Sequence, residues 1–162
     1  MAPAKPDTNH IVALQDLSNT YPKLKPSQRL HIIRQRLEDH HFGPNRLVTS
    51  VSAVEALARS LVMHHEAKGN DKEALDQVYR RYKSSSAKDL VTRYVKVKLD
   101  VSPSIHFGQE TWSLFRYAED FRNLVVHECT YLGMDKFPSL IDACDEILNG
   151  LVKIGNIRER RT

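Results

Sequence analysis

Leu47-Val48-Thr49-Ser50-Val51-Ser52-Ala53-Val54-Glu55-Ala56-Leu57-Ala58-Arg59-Ser60-Leu61-Val62 reads as a helix with a broad apolar face. Leu47, Val51, Val54, Ala58 and Leu61 recur at steps of three and four, and Val48, Leu57 and Val62 widen the stripe. Gly43-Pro44 breaks the chain before it, and Lys68-Gly69-Asn70 supplies stop residues after it. A helix this apolar needs several neighbours to cover it.

The flanking sequence supplies them. Towards the N-terminus, Ser27 can cap a helix running to about Asp39. Residues 1–26 contain Pro3, Pro6, Pro22 and Pro26 and read as a loose arm with a short helical turn at Ile11–Leu17. Towards the C-terminus, Asp71 opens a helix through about Tyr82, and Ser84-Ser85-Ser86 links it to another from about Ala87 to Val97. Asp100 to Gly108 reads as a loop containing Pro103. A long helix follows from about Gln109 to Tyr131, ending at Gly133. The last runs from about Pro138 to Ile154, with Leu140, Cys144, Ile147, Leu151 and Ile154 on its apolar stripe. No internal repeat and no strand pair is visible. Short loops favour antiparallel neighbours, so the expected fold is all-α, an up-down bundle of about five to six helices. The expected organisation is an arm at 1–26, a helical domain at 27–155 and a frayed basic tail at 156–162.

Composition sets bounds on this reading. The 162 residues suit one domain and can bury a core without staples. The net charge of +4 is compatible with an anionic partner without requiring one. Cys129 and Cys144 both stand at apolar positions, so buried free thiols in a reducing cytosol are expected rather than a disulfide framework. No stretch approaches the roughly 20 apolar residues of a membrane span, and Met1 to Asn9 has no apolar run of a secretory signal. The expected location is the cytoplasm, with no membrane partner.

The helix from Gln109 onward has two faces. On a wheel of roughly 100° per residue, Leu114, Ala118, Phe121, Val125, Cys129 and Leu132 cluster on the side expected to meet the core. The opposite half carries Trp112, Arg116, Asn123, Leu124, Val126, His127 and Tyr131. A polar outer face needs no explanation, whereas Trp, Leu and Val there call for a second partner, either another helix or a second copy. Asn123 and His127 are one turn apart and point the same way, with Glu119 and Tyr131 extending the row. Arg122 lies on the flank between the core and this row.

Arg122-Asn123-Leu124-Val125-Val126-His127 resembles the signature of HEPN domains: Arg, a polar residue, three variable residues, His. The placement agrees, near the end of the penultimate long helix and before a last amphipathic one. As an order of helices the resemblance spans about residues 27 to 155, and it is specific at these six positions. It implies an all-α, commonly dimeric protein, and a metal-independent endoribonuclease of the kind found in toxin–antitoxin and antiviral systems. It implies Arg122 and His127 as the catalytic pair and Asn123 as polar helper, with Glu119, Tyr131 and Arg116 in support. A homodimer through the Trp112/Val126/His127 face, RNA as substrate, and an antitoxin or regulatory partner follow from the same resemblance. Some HEPN toxins are controlled through a Tyr two residues after the His; here Cys129 stands at that position and the nearest Tyr is Tyr131.

The residue types suit that chemistry. When the neighbouring 2′-hydroxyl attacks phosphorus, the reaction needs a proton acceptor, a proton donor and positive charge on the phosphorane. A His exchanges protons near neutrality, and an Arg stays charged and forks onto phosphate oxygens. The plain alternative is an ion pair of Arg122 with Glu119 or Asp120 and a merely solvated His127.

Between Tyr79 and Lys98, seven cations stand against the single acid Asp89, with Tyr79, Tyr82 and Tyr94 interleaved. Arg80, Arg81 and Lys83 are candidate RNA contacts. The ordinary explanation, which we favour, is two solvated helix faces whose tyrosines pack inward. His40-His41 and His64-His65 lack the i, i+4 spacing that grips one metal, so no metal site is expected. No cofactor is expected either, since no glycine-rich phosphate loop or dinucleotide fingerprint is present. The runner-up is a catalytically silent helical module that binds a protein, nucleotide or RNA.

Overall fold

A computed structural model describes residues 8–38, 43–67, 71–130 and 132–159. Among the described residues there are eight α-helices and no strand. They are α1 (Thr8–Thr20), α2 (Pro26–Leu37), α3 (Pro44–Glu66), α4 (Lys72–Tyr82), α5 (Ala87–Leu99), α6 (Pro103–Phe107), α7 (Gln109–His127) and α8 (Phe137–Ile154). The all-helical class is as expected; the number of helices is not. The stretch 8–20 forms a full helix instead of a short turn, and Pro103 starts a helical turn within the expected loop. At α6, sequence reading takes Pro103 for a break, but Pro at the first helical position loses no hydrogen bond. His40-His41, Lys68-Gly69-Asn70 and Tyr131 lie outside the described residues.

The core forms around α3. Leu47, Val51, Val54, Leu57 and Ala58 on α3 are fully shielded, and α2, α4, α5, α7 and α8 all contact this helix. The cover is completed by Leu30 from α2, Leu90 and Val91 from α5, Phe115 from α7 and Ile147 and Leu151 from α8. Burying each such side chain contributes about 1.5–3 kcal/mol before entropy is counted. Gly150 on α8 lets the Phe107 ring of α6 pack where a Cβ would stand.

The arm is not loose throughout. Residues 21–25 are pinned to the bundle. Lys23 pairs with Asp76 at 2.6 Å, and the Leu24 carbonyl accepts from the Ser60 hydroxyl at 3.2 Å. The same carbonyl lies 3.1 Å from His64 Nε2. At the other end Ile157 packs on the core and Glu159 pairs with Arg34 at 2.7 Å.

The largest departure from expectation is the end of α7. The helix stops at His127, about a turn before Tyr131. Cys129 adopts a left-handed backbone with φ of 50°, which ends the helical hydrogen-bond ladder. Gly133, at φ 85°, then packs under the Phe121 ring, and a Cβ there would lie 2.7 Å from Phe121 Cε1. Cys129 and Leu132 therefore leave the core stripe and are exposed, Leu132 at 77%. Only Cys144 is the buried thiol that sequence reading expects of both. No helix among the described residues is long and apolar enough to cross a membrane.

Candidate functional site

The outward row of α7 carries Arg116, Asp120, Asn123 and His127, all exposed. Steps of three and four place them on one side of the helix. Leu124 and Val126 beside them are exposed at 55% and 52%. Trp112 is not part of this face. Its ring stacks on Phe115 at 5.5 Å and packs against the core. The second apolar face of α7 is thus made by Tyr117, Leu124 and Val126 without Trp112, and Leu132 and Met134 are also exposed beyond the helix end.

Arg122 sits at the inner edge of this surface, with 15% of its side chain exposed. Its Nε donates to Asn123 Oδ1 at 3.0 Å, and its Nη1 faces Glu55 Oε2 at 3.5 Å. The partner is therefore a carboxylate from α3, not Glu119 or Asp120. Glu55 is shared: its Oε1 accepts from Arg59 Nη2 at 3.0 Å. Arg59 in turn donates to the carbonyls of Tyr82 and Ser85, at 3.2 and 3.4 Å. One chain of charge-assisted contacts thus runs from Arg122 across α3 to the α4–α5 turn.

Glu119 closes the same turn from the other side. It is 5% exposed and does not extend the outward row. Its Oε1 accepts from the Ala87 amide at 3.2 Å and its Oε2 from the Lys88 amide at 3.4 Å. These are first-turn amides of α5 that lack helical partners, so a carboxylate from α7 caps a neighbouring helix. Burial raises the pKa of Glu119 above the usual carboxylate value, against the opposing pull of those amides, Lys88 and Arg122.

Sequence reasoning placed Arg122, Asn123 and His127 together on one helix, and missed Glu55 and Arg59. The missed signal was their own spacing. Two opposite charges four residues apart interrupt the broad apolar stripe of α3.

The basic stretch divides on inspection. Tyr82 and Tyr94 are buried and Tyr79 packs against the core, so these rings are not platforms for bases. Arg81 pairs with Glu66 at 3.1 Å, and Arg93 pairs with the same carboxylate at 2.9 Å. The Tyr82 hydroxyl donates to that carboxylate as well. Arg80, Lys83 and Lys88 stay exposed, the two lysines flanking the turn that Arg59 and Glu119 hold. No group of three His, Cys, Asp or Glu among the described residues is arranged to hold a metal ion.

No protein-family model, curated protein or solved structure matches the chain.

Proposed function

We propose that the chain is a HEPN-type, metal-independent endoribonuclease that works as a homodimer in the cytoplasm. The observation that carries this reading is the exposed Asn123–His127 row, set beside a guanidinium that is itself held in place. A general acid–base must reach its substrate, and an imidazole in a packed interior would not. His127 meets that requirement. Leu124 and Val126 beside it supply apolar surface for a second copy, which would bring two imidazoles to one groove.

In this mechanism the 2′-oxygen of the substrate attacks the adjacent phosphorus while one His127 takes its proton. The P–O5′ bond breaks and the leaving oxygen receives a proton from the second His127. The products are a 2′,3′-cyclic phosphate and a 5′-hydroxyl. Arg122 neutralises the phosphorane. Its Nη2 carries no hydrogen bond among the described residues and is the donor available without rearrangement. Asn123 holds Nε and so fixes the plane of the fork. Lys83 and Lys88 at the α4–α5 turn would guide the RNA backbone. A toxin or defence role, with an inhibitory partner, accords with such an activity.

A second reading is favoured by one observation. Two of the donor positions of Arg122 already face Asn123 and Glu55, which suits a structural cation in a silent binding module. One assay separates the two. Wild type, Arg122→Ala and His127→Ala are incubated with RNA in EDTA, and cleaved ends are tested for cyclic phosphate. Cleavage by wild type alone supports the nuclease. Equal background in all three, with self-association intact, supports the silent module, and cleavage that needs added metal overturns the proposed mechanism.

A further inference from the structure

A second cationic site lies between α2 and α3, and it does not depend on the nuclease reading. Arg29 on α2 is only 9% exposed, yet among the described residues no carboxylate faces it. Its guanidinium stands 4.2 Å from the centre of the Tyr21 ring, and its Nη1 donates to the Tyr21 carbonyl at 3.1 Å. Its Nε is buried without a partner. Burial lowers its proton affinity, and the nearby Arg59 adds like charge. A cation taken out of water with only the Tyr21 side chain and carbonyl for company is costly unless an anion joins it.

Arg29 lines a cavity of about 150 Å³ between α2 and α3. Arg36 stands in its wall, Thr49 and Ser52 contribute hydroxyls, and Ala53 and Ala56 leave the space that larger side chains would fill. None of the lining residues among those described is acidic. Arg36 forms no ion pair among the described residues. A larger recess of about 490 Å³ adjoins the cavity and shares Arg36 and Thr49 with it.

We propose that this cavity receives the phosphate of a small phosphomonoester. Two guanidiniums match a dianion better than a carboxylate, and two hydroxyls add neutral donors for the remaining oxygens. The inner volume is comparable to a cavity of roughly 150 Å³ that accepts benzene. It has room for one phosphate group, and the rest of the ligand extends into the larger recess.

The test uses the full chain, with thermal melting and phosphorus NMR in orthophosphate, in ribose 5-phosphate and in sodium chloride at matched ionic strength. The expected result is a saturable rise in Tm, and a broadened phosphorus signal, with either phosphate but not with chloride. Tighter binding of ribose 5-phosphate than of orthophosphate assigns a role to the recess; equal binding restricts the site to the free anion. Arg36→Glu changes an exposed residue and should fold. It weakens both responses by about tenfold or more, the loss expected when a charged donor is replaced by a repelling group. A rise that does not saturate, one matched by chloride, or one unchanged in Arg36→Glu overturns the proposal.

Discussion

The two ends of the six-residue motif on α7 occupy different worlds. Arg122 is largely enclosed and tied to Asn123, to Glu55 and, through Glu55 and Arg59, to the α4–α5 turn. His127 stands in the last turn of the same helix, exposed. The contrast teaches that a motif can be half architecture and half reagent. A change at the enclosed end should disturb fold and function together, while a change at the open end should touch function alone.

The largest effect tests the open end. His127→Ala should reduce RNA cleavage by about 10²–10⁴-fold, the usual worth of a positioned acid–base. Its thermal stability should stay within about 0.5 kcal/mol of wild type, as for other exposed sites. Matching losses of stability and cleavage would erase the distinction between the two ends. Next comes the shared groove. Leu124→Asp with Val126→Asp should yield a monomer by sedimentation, folded by circular dichroism and cleaving RNA poorly. Full activity in that monomer would show that one subunit suffices.

The enclosed end predicts smaller changes of a different kind. Glu119→Ala strips two α5 amides of their acceptor and should cost about 1–3 kcal/mol in chemical denaturation. Arg122→Ala should cost about 1–2 kcal/mol by removing a charge-assisted pair that is mostly shielded from solvent. Glu119 also carries a pH signature. Its pKa is raised in the folded state, so the stability it adds is fully present below the unfolded carboxylate value and is lost as pH rises through the folded one. The advantage of wild type over Glu119→Gln should therefore be greatest near pH 4 and shrink toward neutrality; a constant gap in pH-dependent melts would contradict this. The smallest effect belongs to His64, whose pKa is lowered by burial against Leu24. Its contribution is present above the unfolded imidazole value and fades as pH falls through the folded one. His64→Gln should thus flatten part of the stability loss between pH 7 and 5.

Periodicity carried most of the fold. The apolar steps of 47–62 correctly described a helix that must be covered on many sides, and six of the eight helices stand close to where their patterns put them. What periodicity could not supply was the choice made at single backbone positions. Cys129 looks apolar and helical on a wheel, but its left-handed φ carries it, and Leu132 after it, away from the core. Trp112 erred the other way. It lies off the ideal core stripe, but its ring is large enough to lean back onto Phe115. The site was legible only along one helix. Asn123 and His127 are related by local spacing, whereas the carboxylate that Arg122 faces lies 67 positions away on α3. Glu119 likewise serves amides on α5 that no i, i+4 rule connects to it.

The early end of α7 has a practical consequence. Because the chain turns out at Cys129 while Cys144 remains enclosed, with its thiol pushed up by burial, the two sulfurs differ sharply in accessibility. A maleimide dye applied to the native protein would mark the accessible sulfur and spare the other. The label would sit two residues past the imidazole, a natural reporter of whatever settles on that end of the rod, with no engineered cysteine required.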